Sequence, residues 1–339
     1  MNGQAAPAQT LRAALPKRPA ARAVMGVAAL GVLVALFTGS SWLSLGDAAL
    51  AITLFNLMAM AQAWNLIGGY GGQFSLGHGL FVGAGGYATA LLLMHTGVPV
   101  ALAVVMAALL TAGIGALAAI PLLRLRGVYF SVGTLGVMIA AQNWMINWHW
   151  AGQTRGVILP QNGVLSFDTQ YFMGAALLVG TTLIVWIAVR SRFGLRLMAV
   201  RDDESAASEL GVNGFRVKLA AFTVSAFLVG LCGALNAFQQ LTLEPYSAFN
   251  ISWAINMILA CVIGGLATIV GPLIGAAIIF ELQQQLQGYE NLTSLIEGAI
   301  LLAVIRFAPG GIWGLLRQLP ELARGLVRSA YSAGKKPAR

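Results

Sequence analysis

Two residues of types that carry out chemistry in hydrolases lie three positions apart in this chain. Ser75 and His78 occur together in the segment SLGHG, as a nucleophile and its base would. No acidic residue lies near them in sequence to orient the histidine, and neither G-x-S-x-G nor H-E-x-x-H occurs in the chain. We therefore expect no catalytic residues and no enzyme activity.

Sequence features of nucleotide and metal sites are also absent. There is no G-x-x-x-x-G-K-[ST] segment, so this chain does not hydrolyse ATP with a phosphate-binding loop. Cys232 and Cys261 lie in long apolar runs away from any Cys/His cluster, which is typical of small buried side chains and not of a zinc site or a disulfide. We expect neither a cofactor nor a metal ion.

The composition indicates an integral membrane protein. Of the 339 residues, 58% are hydrophobic and only 9% are charged, and the mean hydropathy is +0.79. A soluble core does not need this much apolar material, whereas a bilayer does. The net charge of +9 has two explanations, nucleic-acid binding or basic residues held at the cytoplasmic membrane surface, and the positions of these residues distinguish them.

Ten segments are long and apolar enough to cross a bilayer, which takes about 20 residues at about 1.5 Å per residue. The first follows a basic stretch, as in a cleavable signal peptide, but its greater length favours a retained span. The fold class expected is all-α, a polytopic bundle of about ten spans over residues 24–307, with basic tails at 1–23 and 308–339. The spans are 24–45, 48–67, 79–96, 99–122, 128–147, 171–189, 217–241, 251–267, 270–287 and 293–307.

The distribution of basic residues supports this topology. If the N-terminus is cytoplasmic and the chain changes sides at every span, nineteen of the twenty Lys and Arg residues fall on the cytoplasmic side and only Arg155 falls outside. Such asymmetry is typical of inner-membrane proteins. The expected partner of the basic surplus is therefore membrane lipid and not nucleic acid, and both termini are expected in the cytoplasm.

A glycine-rich segment surrounds the Ser75 and His78 pair. Residues 68–87, GGYGGQFSLGHGLFVGAGGY, contain nine glycines, each of which costs a helix up to about 1 kcal/mol relative to alanine. Two interpretations stay open: a tight helix-packing surface with a re-entrant turn, or a broken helix that borders a transport path. The candidate path residues are Gln73, Ser75, His78 and Gly83. A weaker likeness in residues 263–278, where Gly264 and Gly265 precede a break, suggests an internal repeat.

Several amides lie within the predicted spans, where lipid makes unsatisfied polar groups costly. They either bond neighbouring helices or line a path, and the first is the more frequent role in membrane proteins. The residues are Asn56, Gln62 and Asn65 in the second span and Gln142, Asn143 and Asn147 at the end of the fifth.

The longest polar stretch within the predicted transmembrane domain is AVRDDESAASELGVN, residues 199–213, in the predicted cytoplasmic loop 190–217. Asp and Ser residues that favour helix N-termini, alanines of high helix propensity and a closing glycine predict a short helix across the cytoplasmic face. Its small side chains would fit into a groove of a partner protein.

The sequence resembles the branched-chain amino-acid ABC transporter permease family, of the LivM-type transmembrane subunit. The resemblance covers roughly residues 50–316 and rests on RSRFGLRLMAVRDDESAASELGVNGFRVKLAAFTVSAFLVGLCGAL at 190–235, GGYGGQFSLGHGLFVGAGGYATALL at 68–92, LRLRGVYFSVGTLGV at 123–137 and GGLATIVGPLIGAAI at 264–278, with RFAPGGIWGLL near the end. Residues Glu204 to Gly211 match the family's E-x-A-A-x-x-x-G coupling loop.

The resemblance implies a transmembrane subunit of an importer in the bacterial inner membrane. A separate ATP-binding subunit would dock on the coupling loop, a second homologous permease subunit would complete the path, and a periplasmic substrate-binding protein would deliver a branched-chain or other small apolar amino acid. The residues expected to couple to the ATP-binding subunit are Arg201, Asp202, Asp203, Glu204, Ala206, Ala207 and Gly211.

Three rival functions stay open. Urea or short amides are the alternative substrates within the same family. A stand-alone secondary carrier or channel would transport solute without partners and would bury more charged residues within its spans. A membrane scaffold or a subunit of a membrane enzyme would have partners but no substrate path.

Overall fold

The structure is all-α, as the sequence predicts, apart from one pair of two-residue antiparallel strands. A computed structural model describes residues 44–161, 164–286, 288–289, 295–296, 298–299, 302, 306 and 310–314. Strands β1 (Val157–Ile158) and β2 (Thr242–Leu243) join the two connections in which they lie.

Eleven α-helices lie within the described residues. The first continues as a π-helical turn, and two 3-10 turns precede β1. The helices are α1 (Leu45–Asn65, π-turn Leu66–Tyr70), α2 (Gly79–Thr96), α3 (Val100–Leu122), α4 (Val128–Asn147), α5 (Phe167–Arg190), α6 (Arg192–Asp202), α7 (Glu204–Glu209), α8 (Gly214–Gln240), α9 (Pro245–Ala248), α10 (Ile251–Gly264) and α11 (Gly271–Gln285).

Six helical stretches among the described residues are long and apolar enough to span a membrane. The predicted spans 128–147 and 270–287 are helical as α4 and α11, but amides reduce the hydropathy of α4 and α11 has only 15 residues. Span 24–45 lies outside the described residues up to position 43, and most of 293–307 does too, so ten spans stay a prediction. The six are Leu45–Tyr70, Gly79–Thr96, Val100–Leu122, Phe167–Arg190, Gly214–Gln240 and Pro245–Gly264.

Local side-chain caps determine where several of these helices begin. Ser44 accepts a hydrogen bond from the Asp47 backbone amide at the start of α1, and Asn213 accepts one from Arg216 at the start of α8. These residues satisfy amides that would otherwise lack a partner in the first turn. At the other end of α2, Gly97 adopts a left-handed conformation that ends the helix.

The centre of the bundle is α8, which packs against α1, α2 and α3. A Cβ atom on Gly85 of α2 would collide with the Gly230 carbonyl oxygen of α8, and one on Gly233 would collide with the Val82 carbonyl oxygen. The two backbones are therefore in direct contact, which is the role of small residues between membrane helices. This packing compensates for the low helix propensity of residues 79–87.

Helices α3 and α5 expose large apolar side chains along one face. Leu102, Leu109 and Leu117 on α3, with Leu183 and Ile187 on α5, are among the most exposed hydrophobic residues of the described chain. Large apolar side chains that are exposed on membrane-length helices belong in contact with lipid. The described helices thus form a multi-pass membrane bundle.

Candidate functional site

Residues 71–78, between α1 and α2, are not helical and lie back along the last turns of α1. The Gln73 backbone N–H donates to the Ile67 carbonyl at 2.9 Å, and the Trp64 indole Nε1 donates to the Ser75 carbonyl at 2.9 Å. Irregular backbone at membrane depth needs such protein partners because lipid supplies none. The glycine-rich segment is therefore part irregular, over 71–78, and part helical, from Gly79 onward.

His78 connects three parts of the bundle through hydrogen bonds. Its Nδ1 lies 2.8 Å from Ser75 Oγ and its Nε2 lies 3.0 Å from Ser225 Oγ on α8. Because Ser225 donates its own proton to the Ala63 carbonyl of α1, at 2.7 Å, it must accept from the histidine. His78 therefore carries a proton on Nε2, and its Nδ1 is hydrogen-bonded to the Ser75 hydroxyl.

The four predicted path residues have different surroundings. Ser75 and His78 are fully buried and bonded to each other, whereas Gln73 is only partly buried. A Cβ atom on Gly83 would lie 2.6 Å from the Phe249 ring, so this glycine admits an aromatic side chain. In the described structure, only Gln73 of the four has an exposed surface that a solute could reach.

Replacing Ser225 by alanine is expected to destabilise the bundle by about 1–3 kcal/mol, because it leaves the His78 Nε2 proton without a partner in a buried site and removes the hydrogen bond to the Ala63 carbonyl. Thermal unfolding of the purified protein in detergent would measure the loss. The control is Thr223→Ala in the same helix, which removes only a hydrogen bond to Leu219 one turn away. Equal melting temperatures for the two variants would contradict this prediction.

Amides of α1 hold the irregular segment between α10 and α11. Asn65 accepts a hydrogen bond from the Ala267 amide at 3.0 Å and donates to the Thr268 carbonyl at 2.8 Å, and Gln62 donates to the Ile269 carbonyl. Asn65 thus replaces the hydrogen-bond partners that backbone groups lose where a helix is interrupted. Both amides bond a neighbouring segment, as most such residues were expected to do.

The two glycine-containing breaks that look alike in sequence are in contact in the structure. A Cβ atom on Gly69 would lie 2.7 Å from the Ala267 nitrogen, so the π-helical turn of α1 and the segment after α10 approach at backbone distance. Whether they are halves of an internal repeat stays a prediction.

The amides at the end of α4 divide into two groups. Gln142 donates to the Phe249 carbonyl at 3.2 Å and so links α4 to the segment after α9. Asn143 and Asn147 are exposed and donate only within their own helix, to the carbonyls of Ile139 and Asn143. The second pair is available to water or to another subunit.

The predicted short helix is present as α7, Glu204–Glu209. Asp203 precedes it with an extended backbone, and its carboxylate accepts from the Ser205 hydroxyl and from the amides of Ser205 and Ala206. These hydrogen bonds, of which the one from the Ser205 hydroxyl has the largest effect, hold the pKa of Asp203 below its usual value. The cap is therefore complete at neutral pH and is lost only as the pH falls through this lowered pKa. Gly211 ends the segment at φ +82°.

The two sides of α7 differ in exposure. Ala207 is 3% exposed and faces its own chain, whereas Ala206 and Ser208 face outward, so only part of the small surface expected for a partner is accessible. Leu210 is 84% exposed and borders a groove of about 340 Å³ between Arg196 and Arg216. Sequence reasoning missed Leu210, although a large apolar residue directly before the terminating glycine was a visible signal.

Three predicted coupling residues make ionic contacts within the chain. Arg201 pairs with Asp202 at 2.8 Å and donates through Nη1 to the Gly69 carbonyl at 3.2 Å. Glu204 pairs with Lys218 of α8, also at 2.8 Å. Lys218 belongs to no motif and was missed by the sequence analysis. These contacts join α6 and α7 to the π-helical turn and to α8.

Two cavities between the described helices are lined almost entirely by apolar side chains. One of about 700 Å³ lies between α3, α5 and α8, and another of about 530 Å³ lies between α2, α3 and α4. Among the same residues, no group of three His, Cys, Asp or Glu side chains is placed to hold a metal ion. The lining of neither cavity supplies the charged partners that an amino acid's ammonium and carboxylate groups need.

The sequence profile of one family, described as a branched-chain amino acid transport system permease component, matches residues 49–305. This range includes the glycine-rich segment, α7 and the break after α10. No solved structure gives a significant match.

Among curated proteins, the chain is similar to two high-affinity branched-chain amino acid transport system permease proteins LivM. It is 24% identical over 332 residues to that of Salmonella typhimurium, covering 88% of this chain and 77% of the relative, and 26% identical over 297 residues to that of Escherichia coli, covering 78% and 69%. It is also 26% identical over 211 residues to the xylose transport system permease protein XylH of Escherichia coli, covering 52% and 51%.

Proposed function

The chain belongs to the family of branched-chain amino acid transport permease components, and on this premise we propose that it is a transmembrane permease subunit of an ABC importer for branched-chain or other small apolar amino acids. Similarity to LivM along most of the chain supports the substrate class. Similarity to a xylose permease over about half of the chain makes a sugar the alternative to test.

The observation that carries the ATP-driven part of the proposal is α7 with its exposed end. This short capped helix has an 84% exposed leucine beside a groove lined by two arginines, and this combination offers a surface that another protein can cover. We assign its outward surface, formed by Ala206, Ser208, Leu210 and Gly211, to docking of the ATP-binding subunit. Helix-in-groove binding suits such a surface.

A second permease subunit completes the path in this proposal. Neither of the two apolar cavities has a lining that suits a zwitterion, which supports a path whose polar groups come in part from another chain. Residues 71–78 serve as a re-entrant segment at the border of the path, and the partly exposed Gln73 faces the path. Ser75, His78 and Gly83 are buried on the side away from the path and fix the segment against the bundle.

In the proposed orientation, which the distribution of basic residues supports, the loop 190–217 and both termini lie in the cytoplasm and the chain spans a bacterial inner membrane. The opposite face carries Arg155, Asp168 and Glu244, all exposed, and this face receives the periplasmic substrate-binding protein. Charged residues at the edge of such a contact mainly raise the association rate and the specificity.

The test is transport by the reconstituted complex. The permease, a second permease subunit, the ATP-binding subunits and the binding protein are placed in vesicles, and uptake of radiolabelled leucine, urea and xylose is followed with and without ATP. We expect leucine uptake that requires both ATP and the partner subunits. ATP-driven uptake of xylose or urea alone would refute the substrate class, and uptake by the isolated chain on an ion gradient would refute the importer.

A further inference from the structure

An ion pair ties the short helix α7 to the central helix α8. Lys218 Nζ lies 2.8 Å from Glu204 Oε2, and the lysine is only 8% exposed although it lies in the first turns of α8. A buried ammonium group is costly without a partner, so this lysine depends on Glu204. Glu204, the first residue of the family's coupling motif in this chain, therefore faces its own chain.

A glycine at the start of α8 gives Glu204 the room for this contact. A Cβ atom on Gly214 would lie 2.7 Å from Glu204 Oε1, closer than side chains normally approach. The carboxylate is thus packed against the first turn of α8 by two residues of that helix. This second contact, independent of charge, indicates that α7 and the start of α8 form one unit.

Lys218 also shares a face of α8 with the residue that bonds His78. Lys218 and Ser225 are seven residues apart, close to two helical turns, which places Ser225 about 10 Å further along the same face. Ser225 accepts from His78 Nε2 and donates to the Ala63 carbonyl. One face of α8 therefore contacts α7 at one end and the irregular segment and α1 further along.

We propose that Lys218 is a positioning residue that makes α8 follow α7, so that a displacement of α7 by the ATP-binding subunit reaches residues 71–78 through Ser225 and His78. This inference rests on the proposed function and assigns different roles to the two sides of α7. Leu210 and the outward surface of α7 dock the partner, whereas Glu204 acts inward through Lys218. A rigid helix with defined contacts at both ends is a physical route for such coupling.

The test uses the complete complex in vesicles and measures three quantities: ATP-binding subunit retained on purification, ATP hydrolysis, and leucine taken up per ATP hydrolysed. Lys218→Met is expected to leave the subunit bound and ATP hydrolysis active, but to lower leucine uptake per ATP roughly 5- to 150-fold, the usual range of coupling between sites. Glu204→Gln should act in the same direction, and it is less disruptive to folding than Lys218→Met because the Glu204 side chain is 45% exposed and that of Lys218 only 10%.

Two further variants separate ionic contact from simple loss of charge. Lys218→Arg and the exchange Glu204→Lys with Lys218→Glu are expected to recover most of the uptake per ATP. Arg192→Met removes the same charge at the exposed start of α6, where no ion pair is found among the described residues, and is expected to leave the ratio unchanged.

Wild-type uptake per ATP in both Lys218→Met and Glu204→Gln would overturn the inference while leaving the importer intact. Loss of the ATP-binding subunit in Glu204→Gln would also overturn it, since Glu204 would then act in docking. A wild-type complex that neither retains an ATP-binding subunit nor takes up leucine with ATP would refute the proposed function itself.

Discussion

Replacing Leu210 by aspartate is expected to abolish ATP-driven uptake by preventing the ATP-binding subunit from docking. Leu210 is the most exposed large hydrophobic side chain among the described residues and lies beside Gly211 at the end of α7. If Leu210 is one of the few residues that dominate the interface, its loss costs about 2 kcal/mol or more, equivalent to roughly 30-fold in affinity, and burying a carboxylate in its place adds a desolvation cost. Copurification of the ATP-binding subunit and uptake in vesicles measure the effect.

Two properties make this test specific. Leu210 contributes little to its own chain's core, so Leu210→Asp should insert and melt like the wild type. Leu210→Met keeps an apolar side chain of similar volume and should retain docking. If Leu210→Asp still binds the ATP-binding subunit at wild-type stoichiometry, the docking surface lies elsewhere.

Replacing Gly85 by valine is expected to destabilise the bundle by about 3 kcal/mol or more, at the upper end of small-to-large substitutions in packed interiors. The Cβ atom of the new side chain would lie only 2.2 Å from the Gly230 carbonyl oxygen, and a backbone atom cannot avoid it by changing rotamer. Helices α2 and α8 would have to separate. We expect a large loss of folded protein and a lower melting temperature in detergent.

The matched control is Gly113→Val in α3. A Cβ atom there meets nothing within 4 Å, and the residue is exposed on the apolar face of its helix. Valine is a somewhat better helix former than glycine, so this variant should be neutral or slightly stabilising. Similar losses for Gly85→Val and Gly113→Val would show that the α2 to α8 contact is not the cause.

Local signals predicted much of the fold. Helix α2 begins and ends where the sequence indicated, at Gly79 and Thr96, because apolar composition and a following glycine are local properties. The short helix α7 forms between an Asp cap at Asp203 and Gly211 for the same reason. The family resemblance, drawn from the E-x-A-A-x-x-x-G loop and the glycine-rich segments, is confirmed over residues 49–305.

The structure of the glycine-rich segment could not be predicted from its local sequence alone. Nine glycines in twenty positions fitted either a packing surface with a re-entrant turn or a broken helix that borders a transport path. The structure contains irregular backbone over 71–78 and close helix packing from Gly79 onward, and the path stays a prediction. Residues from Gly79 onward form a helix because their glycines let the α8 backbone pack directly against it. Residues 71–78 stay irregular because Trp64 and the end of α1 supply their hydrogen bonds.

The sequence by itself determined that the chain is hydrophobic and crosses the membrane several times, where most helices lie, including the short capped helix, and which family the chain belongs to. Only the tertiary structure decided which side chains meet: His78 bonds Ser225 across 147 residues, Asn65 holds Thr268 across 203, and Ala207 faces inward while Leu210 faces out. The reason is physical. Hydropathy and capping depend on neighbours along the chain, whereas a hydrogen bond or an ion pair such as Glu204 with Lys218 depends on how helices rotate and pack against one another.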